Sequence, residues 1–369
     1  MKIRCQDDDL YQTVRVVQNS IPSRSTVPIL KSVNLVAGDG SLSVAGTDLE
    51  VGVRIHSTDV EIEEPGTVAI PADRISSLLS EFDEQELELS TDGNTLRVRY
   101  EGGDFKIVGH DPDDFPEFPE FDEGPEVSID GATIKDMVEK TSFAVADEMQ
   151  MYALTGLYCR FTPEAIEMVG SDGNRLARYR NSNVTGLDDE IVVNVPPRVL
   201  EILSRMTDDD ETVVFTGDES KVQFQTDRGL VYSRQVEGNY PDYEKAIPKN
   251  PDRKINVNRD ALESSLKKVS VLTPREMPVV RFHFENDMLK LTTSSQEFGE
   301  GSVKLPIDYD GDPLKIVFNP NYLLDVLSVI EEESVQMELS GPEAGGIIRE
   351  GSEYLYVMMP LDQDAVEEN

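Results

Sequence analysis

Histidine, cysteine and clustered carboxylates carry most hydrolytic, redox and metal chemistry, and this chain arranges them for none of it. His56, His110 and His283 are scattered, and none stands beside a second metal-type ligand or a nucleophile motif. Cys5 and Cys159 lie far apart, each flanking apolar strand sequence, and read as reduced, buried thiols of a cytoplasmic protein. The segment Asp308-Tyr309-Asp310-Gly311-Asp312 opens like a calcium loop, but the closing glutamate is missing, so a turn is expected. Gly170-Ser171-Asp172-Gly173 lies between two strand patterns, not between strand and helix, which is wrong for a phosphate cradle. Carboxylate pairs abound, but 72 acids among 369 residues make chance pairing unavoidable. The expectation is a binding protein with no catalytic residue, no metal and no cofactor.

Charge sharpens that expectation. The formal net charge of −38, from 34 Lys and Arg against 72 Asp and Glu, argues by itself against a nucleic-acid partner, since such recognition rests on neutralising phosphates. The distribution tempers this. Arg15, Arg74, Lys135, Lys140, Arg198, Arg205, Lys267 and Lys268 fall on helical segments, with Arg24 and Arg275 just beyond them, while acids crowd turns such as 7–9, 208–211 and 331–333. Singly these are ordinary solvated side chains; their recurrence predicts a locally positive helical face on a globally negative molecule.

The elements that carry these residues repeat three times. A strand, a proline and an apolar helix appear at 68–79 (VAIPADRISSLL), 192–203 (VVNVPPRVLEIL) and 316–327 (IVFNPNYLLDVL), with Pro71, Pro196 and Pro320 spaced by 125 and 124 residues. Proline suits the first turn of a helix, where its missing N–H costs nothing. A period this long marks a domain, not a solenoid unit of roughly 20–50 residues. A second amphipathic helix precedes each marker: Leu10, Val14 and Val17, then Ile134, Val138 and Thr141, then Leu262, Leu266 and Val269, all at i, i+4, i+7. Strand patterns with hairpin turns follow each helix, as in 42–46, 166–170, 288–292 and the pair 86–90 and 96–100 around Asp92-Gly93-Asn94. The fold class is α+β, with helices on one face of antiparallel sheet, in three domains spanning 1–125, 126–250 and 251–369.

Proline- and acid-rich connectors separate the copies at 111–126 and 240–251. Phe115, Phe118, Phe121, Tyr240 and Tyr243 give them something to bury, so they are expected to be ordered. The first nine residues lack the apolar run of a signal peptide, and no stretch reaches membrane-spanning length, so no membrane partner is expected.

In order and spacing, six segments resemble the bacterial sliding clamps, the beta subunits of DNA polymerase III. They are Thr26-Val27-Pro28-Ile29-Leu30, Gly46-Thr47-Asp48-Leu49-Glu50, Asp114-Phe115-Pro116, Ser171-Asp172-Gly173-Asn174-Arg175-Leu176, Tyr240-Pro241-Asp242-Tyr243 and Val357-Met358-Met359-Pro360-Leu361. The resemblance runs from residue 1 to about Leu361, in register with all three repeats. It implies a head-to-tail homodimeric ring of similar domains, with helices lining a central hole and sheets outside. Such a ring encircles duplex DNA, slides without reading sequence, and tethers the replicative polymerase; the clamp loader and repair polymerases engage it through short linear motifs.

The resemblance also assigns residues. Arg24, Lys135, Lys140, Arg198, Arg205, Lys267, Lys268 and Arg275 would face DNA, Arg24 matching the family position most closely. Leu154, Gly173, Arg175, Leu176, Pro241, Val357, Met359 and Pro360 would form an apolar peptide cleft between the second and third domains, with Arg175 as a charged donor at its rim. Phe105 and Ile107 would meet Val271 and Leu272 across the dimer seam, where Glu297 and Glu300 could reach Lys106 or Arg74. Two departures stand out: Ala153 where the family generally has an aromatic residue, and Asp362 where it often has a basic one. An acidic tail, 363–369, follows and is expected with Asp362 to favour motifs flanked by Lys or Arg.

Overall fold

A computed structural model describes the chain except for residues 123, 148, 183–186, 219 and 363–369 and the side chains of 149–151. The described residues contain six α-helices: α1 (Asp7–Gln18), α2 (Ala72–Leu79), α3 (Gly131–Ser142), α4 (Pro197–Met206), α5 (Arg259–Ser270) and α6 (Pro320–Val329). They are the two helices expected in each of three copies. Asp7, Asp8 and Asp9 fill the first turn of α1, where the helix dipole favours negative charge. Asp130 caps α3 by accepting from the Thr133 N–H at 2.8 Å, and Asn258 caps α5 by accepting from the Ala261 N–H at 2.9 Å. The marker prolines begin the other three: Pro71 and Pro196 stand just before α2 and α4, while Pro320 is the first residue of α6. The expected inward faces are buried, including Leu10, Val14 and Val17 in α1 and Leu262, Leu266 and Val269 in α5.

The chain divides into two compact units. One comprises Met1–Lys135 with Thr185–Gln235, the other Asp136–Val184 with Val236–Asn369. In the first, a five-stranded sheet runs in the order Val60–Glu64, Lys2–Gln6, Glu86–Asp92, Thr95–Tyr100, Gly103–Val108. An eight-stranded sheet beside it runs Val127–Asp130, Thr212–Gly217, Lys221–Thr226, Gly229–Arg234, Val51–Ser57, Ser41–Thr47, Ser32–Gly38, Gly66–Pro71. Its middle is the antiparallel pairing of Val51–Ser57 with Gly229–Arg234, so strands of the first and middle repeats make one continuous ladder.

The second unit repeats the device. Arg175–Asn181 pairs with Tyr354–Met358, placing Leu176 opposite Val357, and the sheet continues through Gly346–Glu350, Ser334–Leu339 and Arg253–Asn258. A four-stranded sheet of Gly299–Pro306, Met288–Ser295, Val280–Glu285 and Leu314–Phe318 completes it. An unpaired strand edge exposes a row of N–H and C=O groups. Joining repeats edge to edge removes two such edges within each unit.

The connectors are ordered where their aromatics find cover. Phe115 packs on Ile29, Leu30 and Ala69, and Phe118 meets Tyr232 edge-on at 5.0 Å. Tyr243 is buried with Val169, Leu176 and Leu355. Both cysteines are free and buried; burial, with Asp9 and Asp7 nearby, pushes the Cys5 thiol up to about 12, and burial alone raises Cys159. No helix among the described residues is long and apolar enough to cross a membrane.

Candidate functional site

In the second unit, the residues assigned to a cleft are organised around a tight turn. Between the strands Ala165–Ser171 and Arg175–Asn181, the Asp172 carboxylate accepts from the N–H groups of Asn174 at 2.8 Å and Arg175 at 2.9 Å. Gly173 has a φ of +88°, a left-handed conformation that favours glycine. The turn fixes the start of the next strand, so Leu176 drops into a cluster with Val169, Tyr243, Ile347, Leu355 and Val357, flanked by Tyr158, Tyr240 and Ile247. Of the residues assigned to the cleft, Leu176 and Val357 are thus packed together. Leu154 is buried outside that cluster. Met359, 40% exposed, stays at the surface, and its N–H donates to the Asn174 carbonyl at 2.8 Å, which ties it to the turn. Pro241 is exposed and Pro360 half-buried. Val357 and Met358 are both buried in their strand, so the exposed apolar surface there begins at Met359.

Arg175 corrects an expectation. It does not stand at the rim as an open donor: its Nε bonds Asp172 at 3.0 Å, one terminal nitrogen bonds Asp325 and the other the Phe143 carbonyl at 2.7 Å. The guanidinium also lies 4.7 Å from the centre of the Tyr322 ring. Burial opposes its charge, but the Asp325 hydrogen bond and neighbouring negative charge outweigh this and raise its pKa. Arg175 is a strut between the turn and α6.

Beside it opens a cavity of 260 Å³ lined by Asn174, Met277, Asn319, Tyr322, Met359 and Leu361, among others. Sequence reasoning missed Asn319, Tyr322 and the half-exposed Met277. A signal existed in the third proline marker, where Tyr322 stands two residues after Pro320, while Asp73 and Arg198 hold that place after Pro71 and Pro196. Burial raises the pKa of the Tyr322 hydroxyl.

The basic residues divide sharply. Arg24, Lys268 and Arg275 are exposed and form no ion pair among the described residues. Arg198 of α4 bonds Asp48 at 2.8 Å and the Asn19 carbonyl at 2.5 Å, and Arg205 reaches the Asn19 side chain at 3.2 Å. Lys267 pairs with Glu263 at 2.6 Å one helical turn away, and Lys135 with Asp209 at 2.6 Å. Lys140 departs most from expectation: its side chain is only 11% exposed and its ammonium bonds Glu350 at 2.7 Å. Burial opposes that charge, Glu350 outweighs it, and the pKa is raised; such a lysine offers no free charge to a phosphate. Arg15, which the site assignment left out, is exposed and lies 5.6 Å from the Tyr11 ring centre.

The residues assigned to the seam sit on open ground in each unit. Gly103–Val108 is the outermost strand of its sheet. Phe105 and Ile107, opposite Val98 and Leu96, share one face; Phe105 is 40% exposed and stacks on Tyr100 at 6.3 Å, so it is not simple core. Arg74 is exposed beside Asp73. In the second unit Val271 is 76% exposed just past α5, Leu272 is half-buried, and Glu297 and Glu300 are exposed, the first in the turn before the outermost strand Gly299–Pro306 and the second within it. Exposed Val108 and Phe298 extend these surfaces and were not anticipated. Ala153 is half-buried and Asp362 exposed, and 363–369 lies outside the described residues.

Against known proteins, three consecutive domain patterns match. The N-terminal, central and C-terminal domains of the DNA polymerase III beta subunit match residues 1–119, 128–242 and 244–362. The beta sliding clamp of Chlamydia muridarum is 29% identical over 364 residues, covering 98% of this chain and 99% of that protein. That of Escherichia coli is 27% identical, covering 98% and 100%. The crystal structure of the Pseudomonas aeruginosa sliding clamp bound to griselimycin superposes with a TM-score of 0.91 at 27% identity, covering 98% of this chain and 99% of that one. The Thermotoga maritima beta subunit gives a TM-score of 0.89 at 27% identity, with 98% and 99% covered.

Proposed function

The chain belongs to the DNA polymerase III beta subunit family, the bacterial sliding clamps, and on that premise we propose how its residues serve a processivity factor. Two copies join head to tail into a ring of six similar domains, bounded in each chain near 1–125, 126–250 and 251–369. The ring encircles duplex DNA in the cytoplasm and does no chemistry. It tethers the replicative polymerase, and the clamp loader and repair polymerases use the same apolar cleft through short linear motifs. The observation that carries this reading is that all three family domains follow one another, in order, along one strand–proline–helix repeat.

Sliding requires weak, sequence-blind contact, because tight base readout would stop it. A closed ring needs little affinity to stay on its track, so a net charge of −38 is compatible with handling DNA. Arg24, Lys268 and Arg275 are the cations best placed to touch phosphates, with Arg198, Arg205, Lys267 and Lys135 available after exchanging a carboxylate or amide partner. Lys140 is withdrawn from that set. The cleft takes the apolar anchors of a peptide on Leu176, Val357 and Met359 and in the cavity around Tyr322.

The ring closes where the open strand Gly103–Val108 of one copy meets the region of Val271, Leu272 and Gly299–Pro306 of the other. Light scattering on the eluted protein tests this. The wild type is expected at twice the chain mass, and Ile107→Glu with Leu272→Glu as a folded monomer. A monomeric wild type, or a variant that stays dimeric at low concentration, would contradict the seam.

A further inference from the structure

Three helices run into clusters of acid, and two of them do so with no basic residue in the last turn. A helix C-terminus carries partial negative charge and is stabilised by cations, yet α2 runs into Glu81, Asp83 and Glu84, and α6 into Glu331, Glu332 and Glu333. Neither helix has a basic residue in its last turn, and none of these six acids is in an ion pair among the described residues; a cation at the end of α6, Arg259 from α5, donates to the Ile330 carbonyl at 2.6 Å. The third, α4, also runs into exposed acids, Asp208, Asp209 and Asp210, but carries Arg205 in its last turn, and Asp209 meets Lys135. Acid thus follows this helix in all three repeats, and in two of them no basic residue in the last turn offsets it. A cavity of 570 Å³ in the second unit shows the same imbalance: Asp136, Glu331, Glu332, Glu350 and Glu353 line it around Lys140, whose ammonium is bonded to Glu350.

We propose that this chain is built to work in concentrated monovalent salt, and that its fold reaches full stability only when cations screen these clusters. In dilute buffer an excess of 38 negative charges opposes the compact state by self-repulsion. The screening length shrinks from about 10 Å at 0.1 M salt to about 3 Å at 1 M. The penalty at the helix ends therefore fades with salt, while apolar burial does not. Where the chain acts as a clamp, and this clause rests on that reading, the same screening weakens phosphate attraction and leaves the closed ring as the attachment that persists.

The test is thermal unfolding of the full chain followed by circular dichroism across a potassium chloride series, for the wild type and for Glu331→Gln, Glu332→Gln, Glu333→Gln. The wild-type Tm is expected to climb with salt. The near-isosteric variant should melt about 2–4 °C above the wild type at roughly 0.1 M salt, with the gap closing above about 1 M. General salting-out would raise both proteins alike, so closure of the gap is the diagnostic. A wild-type Tm indifferent to salt, or a gap that persists unchanged at high salt, would overturn the proposal. If the triple variant does not fold, Glu81→Gln with Glu84→Gln gives the same reading at α2. DNA retention plays no part in this measurement, so the clamp reading and the salt reading can fail separately.

Discussion

The cleft and the cation array are specified to different degrees. In the cleft, one turn carries four side chain–backbone hydrogen bonds, through Ser171 and Asp172, and a left-handed glycine, and Arg175 is held by Asp172, Asp325 and Phe143 at once. Among the cations, Arg24, Lys268 and Arg275 are exposed and unpaired among the described residues, whereas Lys140 is locked to Glu350. A surface proposed to recognise a short linear motif needs fixed geometry, because an anchor displaced by an ångström loses its pocket. A surface that must let duplex slide needs charge without geometry. The contrast predicts that cleft substitutions act singly and strongly, and cation substitutions weakly and in sum.

Breaking the strut should have the largest effect. Arg175→Ala leaves Asp172 and Asp325 without their partner, and an expected loss of about 2–3 kcal/mol should appear in denaturant unfolding, with peptide binding abolished. A variant as stable as the wild type would mean the network holds nothing. Next, Leu176→Ala with Met359→Ala should weaken a labelled Gln-x-x-Leu-Phe-type peptide by about 30-fold or more, read by fluorescence anisotropy. Equal affinity would remove the pocket assignment. In the same assay, truncation after Leu361 should reduce the preference for peptides flanked by Lys or Arg.

The Lys140–Glu350 pair sharpens the contrast from the other side. Burial would raise the Glu350 pKa, but Lys140 and the backbone N–H groups of Glu331 and Glu332 outweigh it and hold the value below the ordinary glutamate range. A depressed carboxyl contributes stability that is complete above its unfolded pKa and is lost as pH falls through the folded one. Glu350→Gln should therefore cost about 1–2 kcal/mol at neutral pH, with the deficit shrinking as pH falls below the ordinary glutamate range. A deficit independent of pH would assign the loss to packing. Smallest of all, Arg24→Glu, Lys268→Glu and Arg275→Glu together should weaken DNA association uniformly across sequences. The log–log salt slope should fall by about 0.9 per lost phosphate contact, and an unchanged slope would show that these side chains face elsewhere.

The repeat was legible because its signals are local. A proline opening a helix and an i, i+4, i+7 stripe are read within a dozen residues, and all six helices lie where those signals fall. The sheets that bind one repeat to the next were not legible, since Val53 meets Val231 and Leu176 meets Val357 across long stretches of chain that leave no periodic trace. Lys140 shows the same limit: its position on an amphipathic helix reads as a solvated cation, while the partner that changes its role lies 210 residues away. In the cleft, the apolar residues and the glycine turn were legible through the family resemblance of their segments. The cavity beside Arg175 was missed, because its wall comes from the start of α6, where the signal was a single tyrosine at the place that Asp73 and Arg198 hold in the other two markers.

The most direct test of a topological tether is retention on a nicked circular duplex. The wild-type dimer, loaded onto the circle by the clamp loader and separated by gel filtration, should co-elute with the DNA at salt that abolishes binding to a linear fragment. Linearising the circle with a restriction enzyme should release it within the time of sliding off an end. Protein that stays bound after linearisation, or that never remains on the circle, would contradict the account.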